Sequence, residues 1–126
     1  GYTIPDGNLF PKDGSKGKPE IYVMGCRNPY RMYVDPVTGW LFWGDVGPDA
    51  GEDKPERGPR GYDELNIATS AGFYGWPYFI GNNYPYRKMD YATGAISDYF
   101  DPARPINNSP NNTGDTILPP ARPALI

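Results

Sequence analysis

Arg27 and Asn28 form the first pair of side chains in this sequence that could bind a ligand. They follow a short apolar run over 20–24 and precede Pro29, which favours an extended backbone at the residue before it. A guanidinium group is the natural partner of a carboxylate or another planar anion, through its two parallel N–H donors. The pair therefore indicates a site for such an anion. The alternative is an internal salt bridge from Arg27 to an aspartate, with Asn28 capping a turn.

A long loop dense in Gly and Pro, over 44–61, carries the second candidate site. Carboxylates and free backbone carbonyls in such a loop are the ligands that a hard cation such as Ca²⁺ needs, although the spacing does not fit an EF-hand loop. The alternative is a solvated loop with internal salt bridges. The carboxylates of this region are Asp45, Asp49, Glu52, Asp53, Glu56, Asp63 and Glu64.

Aromatic side chains make up 15% of the residues and offer a third kind of chemistry. Aromatic rings in loops can stack on sugar rings, because they bury apolar ring faces while their polar tips stay wet. We expect most of them to belong instead to the hydrophobic core. The candidates are Trp40, Trp43, Tyr74, Trp76, Tyr78, Phe79, Tyr84 and Tyr86.

The composition excludes several classes of site and partner. The chain contains no histidine, so no Ser-His, Cys-His or His-metal site lies wholly within it. A net charge of −3 gives no basic footprint for nucleic acid, and no apolar run approaches the ~20 residues of a membrane span. The single Cys26 cannot form an internal disulfide. We therefore expect neither a nucleic acid partner nor a membrane span.

The elements that must position these residues are strands and loops. The chain has 16 glycines and 16 prolines, and its longest run free of both, 62–71, is shorter than an average helix of about 11–12 residues. This pattern predicts an all-β fold. We expect a loop over 1–19, a strand-bearing segment over 20–100, and a Pro- and Asn-rich irregular segment over 101–126.

Four short antiparallel strands are predicted within about fifty residues. The first two, 30–35 and 40–44, form a hairpin around the turn at Pro36–Gly39, and further strands follow at 62–67 and 73–80. Four such strands are the content of one blade of a β-propeller. Because one blade buries little core alone, we expect either a stabilising partner or a longer parent propeller, with 101–126 leading to its next blade.

A series of short motifs over about 20–80 resembles the soluble glucose/sorbosone dehydrogenase family. Members of this family are aldose sugar dehydrogenases that depend on pyrroloquinoline quinone (PQQ). The ordered set is more specific than any single motif. In chain order the motifs are Arg27-Asn28-Pro29, Val34-Asp35-Pro36 with Thr38-Gly39, Gly44-Asp45-Val46-Gly47-Pro48-Asp49, Tyr62-Asp63-Glu64-Leu65-Asn66 and Gly72-Phe73-Tyr74-Gly75-Trp76-Pro77.

The resemblance implies a fold and a set of site residues. The family fold is a six-bladed β-propeller, of which this chain would form about one blade plus flanking loops. Arg27 and Asn28 match the pair at the cofactor and substrate site. The backbone carbonyls of Gly47 and Pro48 match those that bind the Ca²⁺ holding PQQ. Asp63 and Glu64 match an acidic pair of the family, which we assign to loop structure or to a second cation.

The resemblance also implies a reaction that this chain cannot complete. In the family a histidine takes the proton of the sugar C1 hydroxyl while hydride moves to the quinone. We therefore expect a fragment that contributes cofactor and calcium contacts but not the catalytic base, with a sugar substrate and the rest of the propeller as partners. The expected location is extracellular or periplasmic. The alternative is a non-catalytic propeller module that binds glycan or protein.

Overall fold

The computed structural model describes residues 1–126 and is built from nine β-strands joined by turns and loops. The all-β fold expected from the composition is confirmed, and it is consistent with a fragment of a β-propeller. None of its elements is a helix that could span a bilayer. The strands are β1 (Val23–Met24), β2 (Pro29–Val34), β3 (Leu41–Asp45), β4 (Glu64–Ala68), β5 (Gly72–Phe73), β6 (Phe79–Ile80), β7 (Tyr84–Pro85), β8 (Arg87–Met89) and β9 (Ile96–Tyr99).

The central element is a three-stranded antiparallel sheet in the order β2-β3-β4. The predicted hairpin is confirmed, since β2 pairs with β3. Its turn forms because the Asp35 carboxylate accepts the backbone N–H of Thr38 at 3.1 Å and Gly39 adopts a φ of 72°. The end of β3 and the start of β4 therefore lie side by side at one end of the sheet.

The two outer strands of this sheet differ in how they are covered. All six residues of β2 are exposed. The outer edge of β4 is instead paired with the C-terminal residues: Leu65 donates its N–H to the carbonyl of Ile126 at 3.0 Å, and Leu125 donates to the carbonyl of Leu65 at 2.9 Å. Residues 125–126 thus extend the sheet without forming a regular strand.

The predicted strand over 73–80 is wrong, because this stretch is divided by a turn. Gly75 has a φ of 101°, and its carbonyl accepts the N–H groups of Tyr78 and Phe79. On one side β5 pairs in parallel with β1, and on the other β6 pairs with β7. The antiparallel sheet consequently has three strands rather than four, and a loop places Trp76 between β5 and β6.

The core consists of two small clusters around the sheet and the loops that follow it. Trp43 and Tyr74 are buried with their ring centres 4.7 Å apart, edge to face. The second cluster contains Phe73, Phe79 and Leu118. Residues 101–126 have no regular strand, yet they contribute this leucine, so the irregular segment packs onto the molecule.

Candidate functional site

The Asp45 carboxylate fixes the backbone of the Arg27-Asn28 pair. It accepts the N–H of Arg27 at 3.0 Å and the N–H of Asn28 at 2.6 Å. In return, Val46 donates its N–H to the carbonyl of Asn28 at 3.1 Å. Asp45 ends β3 and is only 5% exposed, so the acceptor of these part-buried bonds is shielded from water although Arg27 and Asn28 are exposed. The predicted cofactor pair is therefore attached directly to the strand that leads into the Gly47-Pro48 loop.

The Arg27 guanidinium keeps most of its donors free. Nη1 donates to the carbonyl of Val46 at 3.1 Å, and the guanidinium carbon lies 5.8 Å from the centre of the Trp76 ring. The salt bridge to an aspartate, the alternative considered for Arg27, does not form. Asn28 is exposed and its side chain makes no hydrogen bond within the chain. Both side chains are thus available to a ligand.

The Gly47-Pro48 loop is held by close backbone packing. Gly47 donates its N–H to Asp63 at 2.9 Å, while its own carbonyl accepts no hydrogen bond. The Pro48 carbonyl accepts the N–H of Ala50 at 2.8 Å and lies against Gly61, where a Cβ would overlap its oxygen. The loop therefore presents one unpartnered carbonyl and one with a remaining lone pair.

Glu64 is anchored at the start of β4. Its Oε1 accepts the N–H of Gly81 at 2.6 Å, and its Oε2 accepts an amide N–H of Asn66 at 3.0 Å. Burial raises the pKa of this carboxyl, and the neighbouring Asp45 acts in the same direction against the two hydrogen bonds. Glu64 thus works as a structural acceptor that holds the segment after β6.

The three carboxylates at this edge share one role, because each binds the backbone of a different segment. For Asp63 and Glu64 these bonds correspond to the loop-structure alternative, and a second cation there stays a prediction. No group of three or more Cys, Asp and Glu side chains is arranged to hold a metal ion. Ca²⁺ takes six to eight oxygen ligands. The carbonyl oxygens of Gly47 and Pro48 are of the ligand type that Ca²⁺ takes, and their binding of an ion stays a prediction.

The remaining acidic side chains of the loop face solvent. Asp49 is exposed and makes no hydrogen bond. Asp53 accepts the backbone N–H of Arg60 at 2.7 Å, and Glu52 lies 3.5 Å from the Lys54 amine. These contacts match the solvated, internally bonded alternative for this part of the loop.

The structure brings only some of the predicted site residues together. Arg27, Gly47 and Glu64 line one shallow depression. Pro48 lies in the neighbouring groove, and Trp76 lines both. Asn28 and Asp63 border neither, although each is hydrogen-bonded to a residue of the depression.

Two residues of this arrangement were not recognised from the sequence. The sequence places Asp45 among the loop carboxylates and in a family motif, but it does not indicate that this residue joins the two halves of the site. Trp76 was expected mainly as core, whereas its ring faces Arg27. The signal for Asp45 is its place at the end of the apolar run 40–43, because a charge there requires buried partners.

The family assignment rests on a match along nearly the whole chain. A family model described as glucose/sorbosone dehydrogenase matches residues 2–118. The chain belongs to the glucose/sorbosone dehydrogenase family. The resemblance drawn from the ordered motifs is thereby confirmed. No solved structure gives a significant match to this member of the family.

Several curated proteins are similar to this glucose/sorbosone dehydrogenase family chain. It is 38% identical over 94 residues to aldose sugar dehydrogenase YliI of Escherichia coli K12, covering 74% of this chain and 22% of that protein. It is 28% identical over 131 residues to quinoprotein glucose dehydrogenase B of Acinetobacter calcoaceticus, covering 93% and 25%. It is 33% identical over 81 residues to the HIPL2 protein of Arabidopsis thaliana, covering 64% and 10%. The chain thus spans about a quarter or less of the length of these relatives.

Proposed function

We propose that this chain supplies part of the cofactor site of a PQQ- and Ca²⁺-dependent aldose dehydrogenase that acts outside the cytoplasm. Arg27 and Asn28 would contact PQQ, and the carbonyls of Gly47 and Pro48 would contact Ca²⁺. The sugar dehydrogenase and quinoprotein names of two relatives support the reaction class.

The observation that carries the proposal is the attachment of Arg27 and Asn28 to Asp45. Two motifs separated by about twenty residues in sequence meet at the end of β3, held by two charge-assisted hydrogen bonds. Such a fixed backbone orients side chains before a ligand arrives, which lowers the entropic cost of binding. The site geometry therefore favours a preorganised anion site next to the carbonyls of the following loop.

Each residue would have a defined task. The free donors of Arg27 suit the carboxylates of PQQ, and the Asn28 amide suits a carboxylate or quinone oxygen. The unpartnered carbonyl of Gly47 suits a hard cation. When bound, PQQ would supply the hydride acceptor and Ca²⁺ the Lewis acid for oxidation of the sugar. Since the chain contains no histidine, the base for the sugar hydroxyl would come from other residues.

Titration calorimetry of PQQ into the full-length protein, in the presence of Ca²⁺, tests this proposal. The matched variants are Arg27→Ala and Arg31→Ala, because Arg31 is an exposed residue of β2 that borders neither pocket. We expect Arg27→Ala to weaken PQQ binding by about tenfold or more, since a charge-assisted hydrogen bond is lost. Arg31→Ala should bind like the unmodified protein.

Three outcomes would count against the proposal. Absence of PQQ binding, or binding that Arg27→Ala leaves unchanged, would remove the assigned role of this pair. PQQ binding without reduction of a dye acceptor by any aldose would keep the site but favour the non-catalytic alternative.

A further inference from the structure

The groove next to the depression that contains Arg27 lies between the loop that follows Pro48 and the irregular segment near Ser109. Its volume is about 790 Å³, which is in the range of small-ligand sites. Trp76 lines both this groove and the depression that contains Arg27. A ligand in the groove would therefore reach the neighbourhood of the proposed cofactor site.

The groove concentrates positive charge in a chain whose net charge is −3. Arg57, Arg87 and Lys88 line it, against a single carboxylate, that of Glu56. None of the three cations takes part in a salt bridge. Arg87 donates to the backbone carbonyls of Pro55 and Ser97. These bonds fix its guanidinium group without neutralising its charge. The electrostatics of the groove thus favour an anion.

Two buried polar atoms belonging to groove residues lack partners. The Nε of Arg57 and the hydroxyl of Tyr86 are both shielded from solvent and make no hydrogen bond. Burial raises the pKa of Tyr86, so its hydroxyl stays protonated and can donate. Buried donors without acceptors are costly, so two residues that line the groove each carry an unsatisfied hydrogen-bonding group.

Aromatic rings provide the other surface of the groove. Tyr91 is 90% exposed, and the Trp76 ring packs edge to face on Tyr86 with 6.1 Å between centres. Tyr78 packs against Phe100 with 4.3 Å between ring centres, and both residues line the groove. Rings of this kind bury the apolar faces of sugars while hydroxyl groups remain hydrogen-bonded.

We propose that this groove binds an acidic oligosaccharide, one whose sugar rings carry carboxylates. The carboxylates face Arg57, Arg87 and Lys88, and the rings lie against Trp76 and Tyr91. The choice of carbohydrate rests on the proposed sugar dehydrogenase function. The preference for negative charge rests on the groove itself.

Calorimetry of the full-length protein without PQQ tests the site separately from the cofactor. The probes are trigalacturonate and its fully methyl-esterified form, which keeps the rings and removes the charge. We expect trigalacturonate to bind at least tenfold more tightly, with an affinity that falls as salt increases.

Substitutions locate the binding in the groove. We expect Lys88→Met and Tyr91→Ala each to weaken trigalacturonate binding by about fivefold to tenfold. Tyr91 is so exposed that its removal leaves the fold intact. Lys18→Met is the matched control, because Lys18 is another lysine without a salt bridge and lies outside the groove.

Three results would overturn the proposal. They are equal affinity for the charged and esterified sugars, affinity unchanged in both groove variants, and tighter binding of a short oligouridylate than of trigalacturonate. None of them depends on PQQ. Failure of the proposed redox function would leave this binding test interpretable.

Discussion

Asp45, at the end of β3, lies directly opposite Glu64, at the start of β4, so two carboxylates are neighbours at one end of the sheet. Like charges on directly opposite residues repel each other, and burial adds a desolvation cost. The structure offsets both terms with backbone N–H donors, two to Asp45 and one to Glu64, and with the amide of Asn66. The pair thus joins three separate segments at one point.

The first prediction concerns Asp45→Asn. The amide keeps the shape of the side chain but has one acceptor oxygen, so one of the part-buried backbone N–H groups of 27–28 loses its partner. We expect a loss of about 1–3 kcal/mol in the free energy of unfolding, measured by urea titration with tryptophan fluorescence. Asp49→Asn is the control, because Asp49 is exposed and unbonded. Equal stability of the two variants would contradict the anchoring role of Asp45.

The second prediction concerns the pH dependence of stability. Glu64 has a pKa raised above its ordinary 4.5, chiefly by burial, so the folded chain binds this proton more readily than the unfolded chain. The free energy of unfolding should therefore increase as the pH falls from neutral toward 4.5. The lowered pKa values of Asp6, Asp13, Glu20, Asp35 and Asp90 oppose this increase, chiefly near and below pH 4.5.

Thermal unfolding of the unmodified chain and of Glu64→Gln over pH 4.5–7 measures this effect. The variant should lose the increase in stability, because its side chain cannot ionise. A slope of the same size in both proteins would assign the pH dependence to another group.

The third prediction concerns the glycine that packs on the proposed calcium carbonyl. An added Cβ in Gly61→Ala would overlap the Pro48 carbonyl oxygen, so the loop must shift. We expect a destabilisation of about 1–3 kcal/mol and a loss of Ca²⁺-dependent PQQ binding. Gly51→Ala lies in the same loop with nothing within 4 Å of its new Cβ and should change neither quantity. Normal Ca²⁺-dependent PQQ binding by Gly61→Ala would show that the Pro48 carbonyl does not belong to the cofactor site.

The fourth prediction concerns the single cysteine. Burial raises the pKa of Cys26 from its ordinary 9.0 to about 11, with Asp45 adding to the shift. Two pKa units lower the thiolate fraction near pH 8 by about a hundredfold, and the thiolate is the reactive form. Iodoacetamide should therefore modify the folded chain far more slowly than the urea-unfolded chain, as followed by mass spectrometry. Similar rates in both states would show that the thiol is open.

The fold could be predicted from the sequence where local signals agree. The turn after Asp35 and the alternation of 30–35 define the β2–β3 hairpin, which the structure contains. The strand over 73–80 could not be predicted correctly, because aromatic content favours a strand while the φ of Gly75 ends it. The parallel pairing of β1 with β5 is equally absent from local patterns, since it joins residues about fifty positions apart.

The site was predictable as a set of ligand-binding residue types but not as a network. The motifs indicate Arg27 and Gly47 as site residues. The attachment of Arg27 to Asp45 depends instead on how deeply the last residue of β3 is buried. Burial is a property of tertiary packing, so the sequence indicates that Asp45 is acidic but not that it is 5% exposed. The same reason explains why Trp76, expected as core, lies against a guanidinium.

The pairing of Leu65 with residues 125–126 has a consequence for synthesis of the chain. The sheet β2-β3-β4 can form once Ala68 has left the ribosome, but the outer edge of β4 stays open until some sixty further residues are made. An open strand edge is a template for any other strand nearby. During that interval the nascent chain is most vulnerable to pairing with a neighbouring strand, and the arrival of residues 125–126 ends it.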